Sequence, residues 1–130
     1  METKSSDGTS QRPQKRVLNA PLVEMDLAQS IEQIRNEPTW KESSHNSITL
    51  FKSDAMRIVL IGLHNKAELK THIAPGFISV QVLQGCIEFT AEPDKSLLKK
   101  GQMISLQPRI PHSVQALEES FFLLTLVKTN

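Results

Sequence analysis

The sequence has little cysteine and no long hydrophobic run. Cys86 is the only cysteine among 130 residues, which excludes an internal disulfide and fits a reducing compartment. The longest apolar run, IVLIGL at residues 58–63, is far shorter than the roughly 20 residues of a membrane-spanning helix. The first sixteen residues contain no hydrophobic stretch that could act as a signal peptide. We therefore expect a cytoplasmic protein with no membrane partner.

The sequence also lacks an excess of charge of either sign. It has 15 basic and 14 acidic residues, for a formal net charge of +1. A nucleic-acid-binding surface needs lysine and arginine clustered on one face, and the sequence shows no such cluster. We expect no nucleic-acid partner. The 38% of hydrophobic residues and 22% of charged residues are typical of a globular protein, and the length suits one domain with one core.

Composition divides the chain into three segments. Residues 1–16 are rich in Ser, Gln and Lys and almost without apolar side chains, so they cannot bury enough surface to offset the entropy of ordering. They predict a disordered leader. Residues 17–47 predict an N-terminal arm and one short helix, and residues 48–130 predict a barrel of β-strands.

The helix is predicted by a single apolar stripe. Leu27, Ile31 and Ile34 recur at i, i+4 and i+7, which places them on one helical face. Asp26 is a suitable N-cap, and Pro38 restricts the residue before it and ends the segment. One stripe of this kind needs another surface to pack against.

From residue 47 onward the hydrophobic period becomes that of strands. Short β-rich runs such as MRIVLIGLH alternate with turn material such as NKAE, EPDK and KKG. In residues 77–84 the even positions Ile78, Val80 and Val82 are apolar and the odd positions Ser79 and Gln81 are polar, with Leu83 as the exception, which is typical of a half-buried strand. Seven or more such strands predict an all-β sandwich or barrel, with the helix covering an outer face or an open end.

The last hydrophobic run differs from the others because it is apolar on both faces. SFFLLTLV at residues 120–127 predicts either a central strand or a strand that pairs across an interface. The second alternative would give a homodimer.

Two segments resemble the paired motifs of the cupins, which are small double-sheet jelly-roll barrels. The first cupin motif runs G-x5-H-x-H-x3,4-E-x6-G. Gly85 fits its closing glycine. Counting back places Ile78 at the glutamate, Ala74 at the second histidine, His72 at the first histidine and Lys66 at the opening glycine.

The second cupin motif, G-x5-P-x-G-x2-H-x3-N, fits the region that begins at Gly101. Gln107 and Arg109 stand at its proline and second glycine, His112 is its histidine, and Ala116 takes the asparagine position. The resemblance covers about residues 48–127. It implies a double-stranded β-helix, or jelly-roll barrel, and many cupins are dimers.

The departures from the motifs concern the metal ligands. The resemblance implies a divalent ion held by three histidines and a glutamate, but Ala74 and Ile78 replace two of these four ligands and have no lone pair to donate. Catalytic metal sites generally use three protein ligands and an open position. We therefore expect no tightly bound metal and no other cofactor.

The two retained histidines are the predicted ligand-binding residues. If the jelly-roll alignment holds, His72 and His112 point into one cavity from neighbouring strands, where imidazoles can bind a polar or anionic molecule. The alternative is structural, in which the rings hydrogen-bond each other, a water molecule or a backbone carbonyl. Arg109 precedes His112 and could add a cation at the barrel mouth or simply be solvated.

These residues lead to three hypotheses about function. The first is a cupin that binds a small molecule in an apolar barrel, with His72 and His112 as its polar contacts, which is the usual form of a ligand site. The second is a metal-dependent enzyme of the dioxygenase or isomerase type, with His64 as a third ligand beside His72 and His112. The third, a sensor module of a transcription regulator, lacks a helix-turn-helix segment in this sequence. Whether any catalysis occurs stays open.

Overall fold

The computed structural model describes residues 16–129, which form two helices and nine strands. Residues 1–15, and with them almost all of the predicted leader, lie outside the described residues. The elements in chain order are α1 (Leu27–Asn36), α2 (Pro38–Glu42), β1 (His45–Lys52), β2 (Met56–Leu63), β3 (Glu68–His72), β4 (Gly76–Gln84), β5 (Cys86–Ala91), β6 (Asp94–Lys99), β7 (Met103–Leu106), β8 (His112–Ala116) and β9 (Ser120–Lys128). Within this range no helix is long and apolar enough to cross a membrane.

The strands form two antiparallel sheets that pack face to face. One sheet has five strands in the order β1-β2-β9-β4-β7, and the other has four in the order β3-β8-β5-β6. The predicted all-β, double-sheet architecture is therefore confirmed. Strand β9 lies in the middle of the larger sheet, which confirms the central-strand interpretation of its two apolar faces.

The main core lies between the two sheets. Its buried members come from both, and they are Leu63, Ile78, Val80, Val82, Ile87, Phe89, Leu98, Val114, Ala116 and Phe122. The even positions of β4 face this core, as their alternation predicts. Leu83 is apolar although it lies on the opposite, outer face of β4, because the second core that contains Ile34 and Trp40 packs against it there.

Helix α1 forms where the sequence predicts it. The Asp26 carboxylate accepts a hydrogen bond from Gln29 N at 3.0 Å, and Ile31 and Ile34 are buried. The predicted short N-terminal helix is confirmed, but Pro38 does not end the helical segment, because it begins a second helix of five residues. Proline suits the first position of a helix, where its missing N–H needs no partner. The first strand also begins three residues earlier than predicted, at His45.

The helices form a second core on the outer face of the larger sheet. Ile31, Ile34 and Trp40 pack there against Leu60 and Phe121, so Trp40 joins helix to sheet. Phe121, at the start of β9, is fully buried by this layer, whereas Val127 near the end of β9 is 41% exposed. The helices therefore cover one end of the outer face and leave the other end bare.

Candidate functional site

The two predicted site histidines lie directly opposite each other on adjacent strands. His72, the last residue of β3, pairs with His112, the first residue of β8. Their ring centroids are 4.3 Å apart with an interplanar angle of 61°. The structure therefore brings together the two side chains that the motif alignment places in one cavity.

The histidine pair lies at the boundary between the barrel core and solvent. His112 is only 4% exposed, and Val114 and Ala116, which share its face of β8, belong to the main core. Its ring stacks on that of Phe89, with a centroid distance of 5.5 Å and an angle of 13°. His72 is exposed. One imidazole is thus inside the barrel and its neighbour is at the rim.

Backbone carbonyls fix the protonation of both rings. His72 Nδ1 lies 2.8 Å from Lys70 O, and His112 Nδ1 lies 2.8 Å from Ile110 O. A carbonyl oxygen can only accept, so each Nδ1 carries the proton and donates. Each neutral ring then keeps its lone pair on Nε2, and neither Nε2 has a hydrogen-bond partner within residues 16–129. The structural interpretation accounts for Nδ1 in both residues and leaves Nε2 without a role.

The buried member of the pair is held neutral. Burial lowers the pKa of His112 below its ordinary value of 6.5, the Ile110 carbonyl opposes that shift, and the neighbouring His72 lowers the pKa further. His112 is therefore a hydrogen-bond acceptor through Nε2 at neutral pH.

This pKa shift predicts a loss of stability in mild acid. Since the folded pKa of His112 is below 6.5, the unfolded chain binds more protons than the folded chain as the pH falls through 6.5. The free energy of unfolding should be highest above pH 6.5 and should decrease below it, by at most about 1.4 kcal/mol per pH unit for one proton. Urea unfolding from pH 7.5 to 5 measures the slope. In His112→Phe the slope should be smaller, and an unchanged slope would contradict this assignment.

Two positions that the cupin motifs give to metal ligands are hydrocarbon here. Ile78 is 4% exposed in the main core, and Ala74 packs against the same core. No group of three or more His, Cys, Asp or Glu side chains within residues 16–129 could hold a metal ion. Two imidazoles with no carboxylate do not fit the three-ligand set of a catalytic divalent ion.

His64 does not join the pair. Its ring stacks on that of Trp40 with centroids 3.6 Å apart, and its Nε2 donates to Trp40 O at 2.7 Å. It therefore stabilises the junction between α2 and the end of β2. The three-histidine site of the second hypothesis is not formed in this structure, because the His64 ring is held against Trp40.

The four glycine positions of the cupin motifs share one backbone conformation. Gly85 and Gly101 have φ angles of 89° and 88°, and Lys66 and Arg109, which replace the other two glycines, have φ angles of 74° and 61°. Lys66 and Arg109 are the two non-glycine residues with positive φ in the described part of the chain. The turns of both motifs are therefore kept even where glycine has been lost.

Restoring glycine at these two turns should stabilise the protein. A left-handed conformation costs a residue with a side chain about 1–2 kcal/mol, part of which the greater freedom of unfolded glycine offsets. We expect Lys66→Gly and Arg109→Gly each to raise the free energy of unfolding by about 0.5–1 kcal/mol in urea. Lys95→Gly, at an exposed strand position without positive φ, is the control and should lower it by a similar amount. If all three variants lowered the free energy of unfolding, the backbone strain assigned to Lys66 and Arg109 would be contradicted.

Comparisons with known proteins support the fold. No protein-family model matches the sequence, and no curated protein matches it either. Among solved structures, the chain is similar to the conserved SPY1581 protein of unknown function from Streptococcus pyogenes, with 29% identity and a TM-score of 0.64. This match covers 68% of this chain and 78% of that one.

Two further structures are described as cupins. A cupin 2 conserved barrel domain protein from Leptotrichia buccalis is 30% identical with a TM-score of 0.64, over 67% of this chain and 42% of that one. A cupin superfamily protein from Desulfitobacterium hafniense is 18% identical with a TM-score of 0.65, over 68% and 81% of the two chains. With the two sheets, the paired histidines and the four motif turns, these similarities identify the chain as a small cupin jelly-roll domain.

Proposed function

We propose that this cupin binds a small molecule at the rim of its barrel, with His72 and His112 as polar contacts and without a tightly bound metal. The observation that carries the proposal is the pair of Nε2 atoms. Both are free of protons in the neutral rings, and neither has a partner within residues 16–129. His112 is buried, and a buried acceptor without a partner costs free energy unless another molecule supplies the donor.

The surroundings of the pair are apolar. The His112 ring stacks on Phe89, and half-buried hydrocarbon side chains that pack against the main core include Leu69, Ala74, Ala91, Leu106 and Leu126. A concave apolar lining with few converging polar groups is the usual form of a small-molecule site. The ligand would present a hydroxyl or N–H group to Nε2 and an apolar surface to this lining.

The test is an NMR screen of pooled fragment-sized compounds, read on the imidazole resonances of the four histidines. Ligands should shift the signals of His72 and His112 and leave those of His45 and His64, which serve as internal controls. His112→Phe keeps an aromatic ring against Phe89 but removes Nε2, so it should weaken binding by about tenfold or more. Hits that shift no imidazole signal, or that bind His112→Phe unchanged, would contradict the proposal.

We also propose that the bare end of the larger sheet pairs two copies of the chain. Phe77 and Val127 are opposite each other on β4 and β9, and they are 45% and 41% exposed. Apolar neighbours on one sheet face favour an interaction surface. Sedimentation should show that the wild type is a dimer and that Phe77→Glu is a monomer. A wild type that stays monomeric at the highest concentration reached would contradict this second proposal.

A cytoplasmic location remains part of the proposal. Cys86 is a buried free thiol, which is consistent with a reducing compartment.

A further inference from the structure

An arginine lies on the inner face of the barrel. Arg57 on β2 pairs with Leu126 on β9, and cross-strand partners have their side chains on the same face of a sheet. Leu126 packs against the main core between the sheets. Arg57 therefore shares the inner face, and it is half-buried.

Arg57 belongs to a row of residues that crosses the larger sheet. Leu126 is opposite Ile78 on β4, and Ile78 is opposite Leu106 on β7. The three apolar members of this row all pack into the main core. In this row Arg57 on β2 is followed by three hydrocarbon side chains, and the edge strand β1 lies on its other side.

The row and the histidine pair lie at the same end of the barrel. Three residues connect His72 to the start of β4, where Ile78 is the third residue. Five residues connect Leu106, the last residue of β7, to His112. Both short connections link the larger sheet to the smaller one, so the row and the imidazoles lie at the same end of two facing sheets, which typically pack roughly 10 Å apart.

The positive charge of Arg57 is not compensated. Neither a carboxylate nor another acceptor within residues 16–129 forms an ion pair or a side-chain hydrogen bond with its guanidinium, although Asp54 lies in the adjoining turn. Its cross-strand partner on β1 is a second cation, Lys52. Like charges opposite each other are unfavourable in a sheet, and an arriving anion would relieve the repulsion.

We propose that Arg57 binds a carboxylate group of the ligand, which would then be a small organic acid. This inference rests on the proposed function. A planar guanidinium pairs bidentately with a carboxylate, and the three hydrocarbon side chains beside it suit an acid with an apolar body. The ligand would have its carboxylate at Arg57, an apolar middle over Leu126 and Ile78, and a donor group at the Nε2 atoms of the pair.

The test compares acids with matched neutral amides. The probes are 4-hydroxyphenylacetate, 3-(4-hydroxyphenyl)propionate and their primary amides, each with a phenol donor at one end and the acid or amide at the other. Titrations are followed on the imidazole signals of His72 and His112. At least one acid should bind about tenfold or more tightly than its amide. In Arg57→Gln the acid and the amide should bind within about twofold of each other.

Lys99→Gln is the matched control. It removes one positive charge opposite Cys86, near the start of β9 and so at the other end of the barrel from Leu126. Lys99→Gln should still bind the acid more tightly than its amide. If Arg57→Gln fails to fold, Arg57→Met keeps the apolar stem and should lose the same preference.

The outcomes separate the two proposals. Equal binding of acid and amide by the wild type would overturn the role of Arg57 and leave the rim site standing, as would an undiminished preference in Arg57→Gln or Arg57→Met. If fragments from the screen shift the pair but neither acid does, the carboxylate assignment is overturned. If no compound of either kind shifts His72 or His112, the proposed function itself fails.

Discussion

Gly85→Ala should lower the free energy of unfolding by about 3 kcal/mol or more. Two costs add at this turn. The φ angle of 89° is unfavourable by about 1–2 kcal/mol for a residue with a side chain. In addition, a Cβ at residue 85 would overlap the Ser120 hydroxyl and the Glu119 carbonyl oxygen, and such overpacking typically costs 1–3 kcal/mol.

The overlap is costly because its partners cannot move freely. Ser120 is fully buried, accepts a hydrogen bond from Cys86 N at 3.0 Å, and lies 2.7 Å from Glu118 O. A shift of Ser120 would break the contacts that join the start of β5 to the start of β9. Gly85→Ala would therefore disturb both sheets, since β5 and β9 belong to different ones.

Gly101→Ala separates the two costs. Gly101 has a φ angle of 88°, but an added Cβ would have no atom within 4 Å. It should cost only the conformational part, about 1–2 kcal/mol. Urea unfolding of both variants measures the difference, and equal losses would show that the close approach of Ser120 has no energetic effect.

Phe121→Ala should cost about 3–5 kcal/mol, the range for a fully buried phenylalanine. Phe121 is 0% exposed in the outer core, 5.3 Å from the Trp40 ring and 4.8 Å below the Arg35 guanidinium carbon. Removing its ring leaves a cavity between the helices and the larger sheet. It also removes the surface on which helix α1 packs.

Phe77→Ala is the matched control on the same sheet face. Phe77 lies at the bare end and is 45% exposed, so its loss should change the free energy of unfolding by about 1 kcal/mol or less in the monomer. A cost that rises with protein concentration would support the homodimer proposed for this face. Equal, concentration-independent losses in the two variants would contradict the described helix layer.

Local sequence signals predicted much of this fold. The Asp26 cap and the stripe of Ile31 and Ile34 placed helix α1, and the alternation of residues 77–84 identified the inner face of β4. Motif spacing predicted that His72 and His112 lie together even though Ala74 and Ile78 occupy two of the four ligand positions. The cap, the stripe and the alternation depend on neighbours in the chain, which a sequence displays directly, whereas the histidine pair was predicted from the resemblance to the cupin motifs.

Other features depend on contacts between distant segments. Nothing around Arg57 indicates that it faces the barrel interior, because that follows from its pairing with Leu126, far along the chain. His64 could be placed beside Trp40 only once α2 was known to form. The positive φ angles at Lys66 and Arg109 were implied only by the glycines of the motifs they replace.

The central claim is that His72 and His112 each keep an unprotonated Nε2 available to another molecule. Long-range proton–nitrogen NMR correlations of the imidazole rings at pH 7.5 test it most directly. We predict that both residues show a protonated Nδ1 and a bare Nε2. A proton on Nε2 of His112 at this pH would contradict the account, because the ring would then have no lone pair to offer a ligand from inside the barrel.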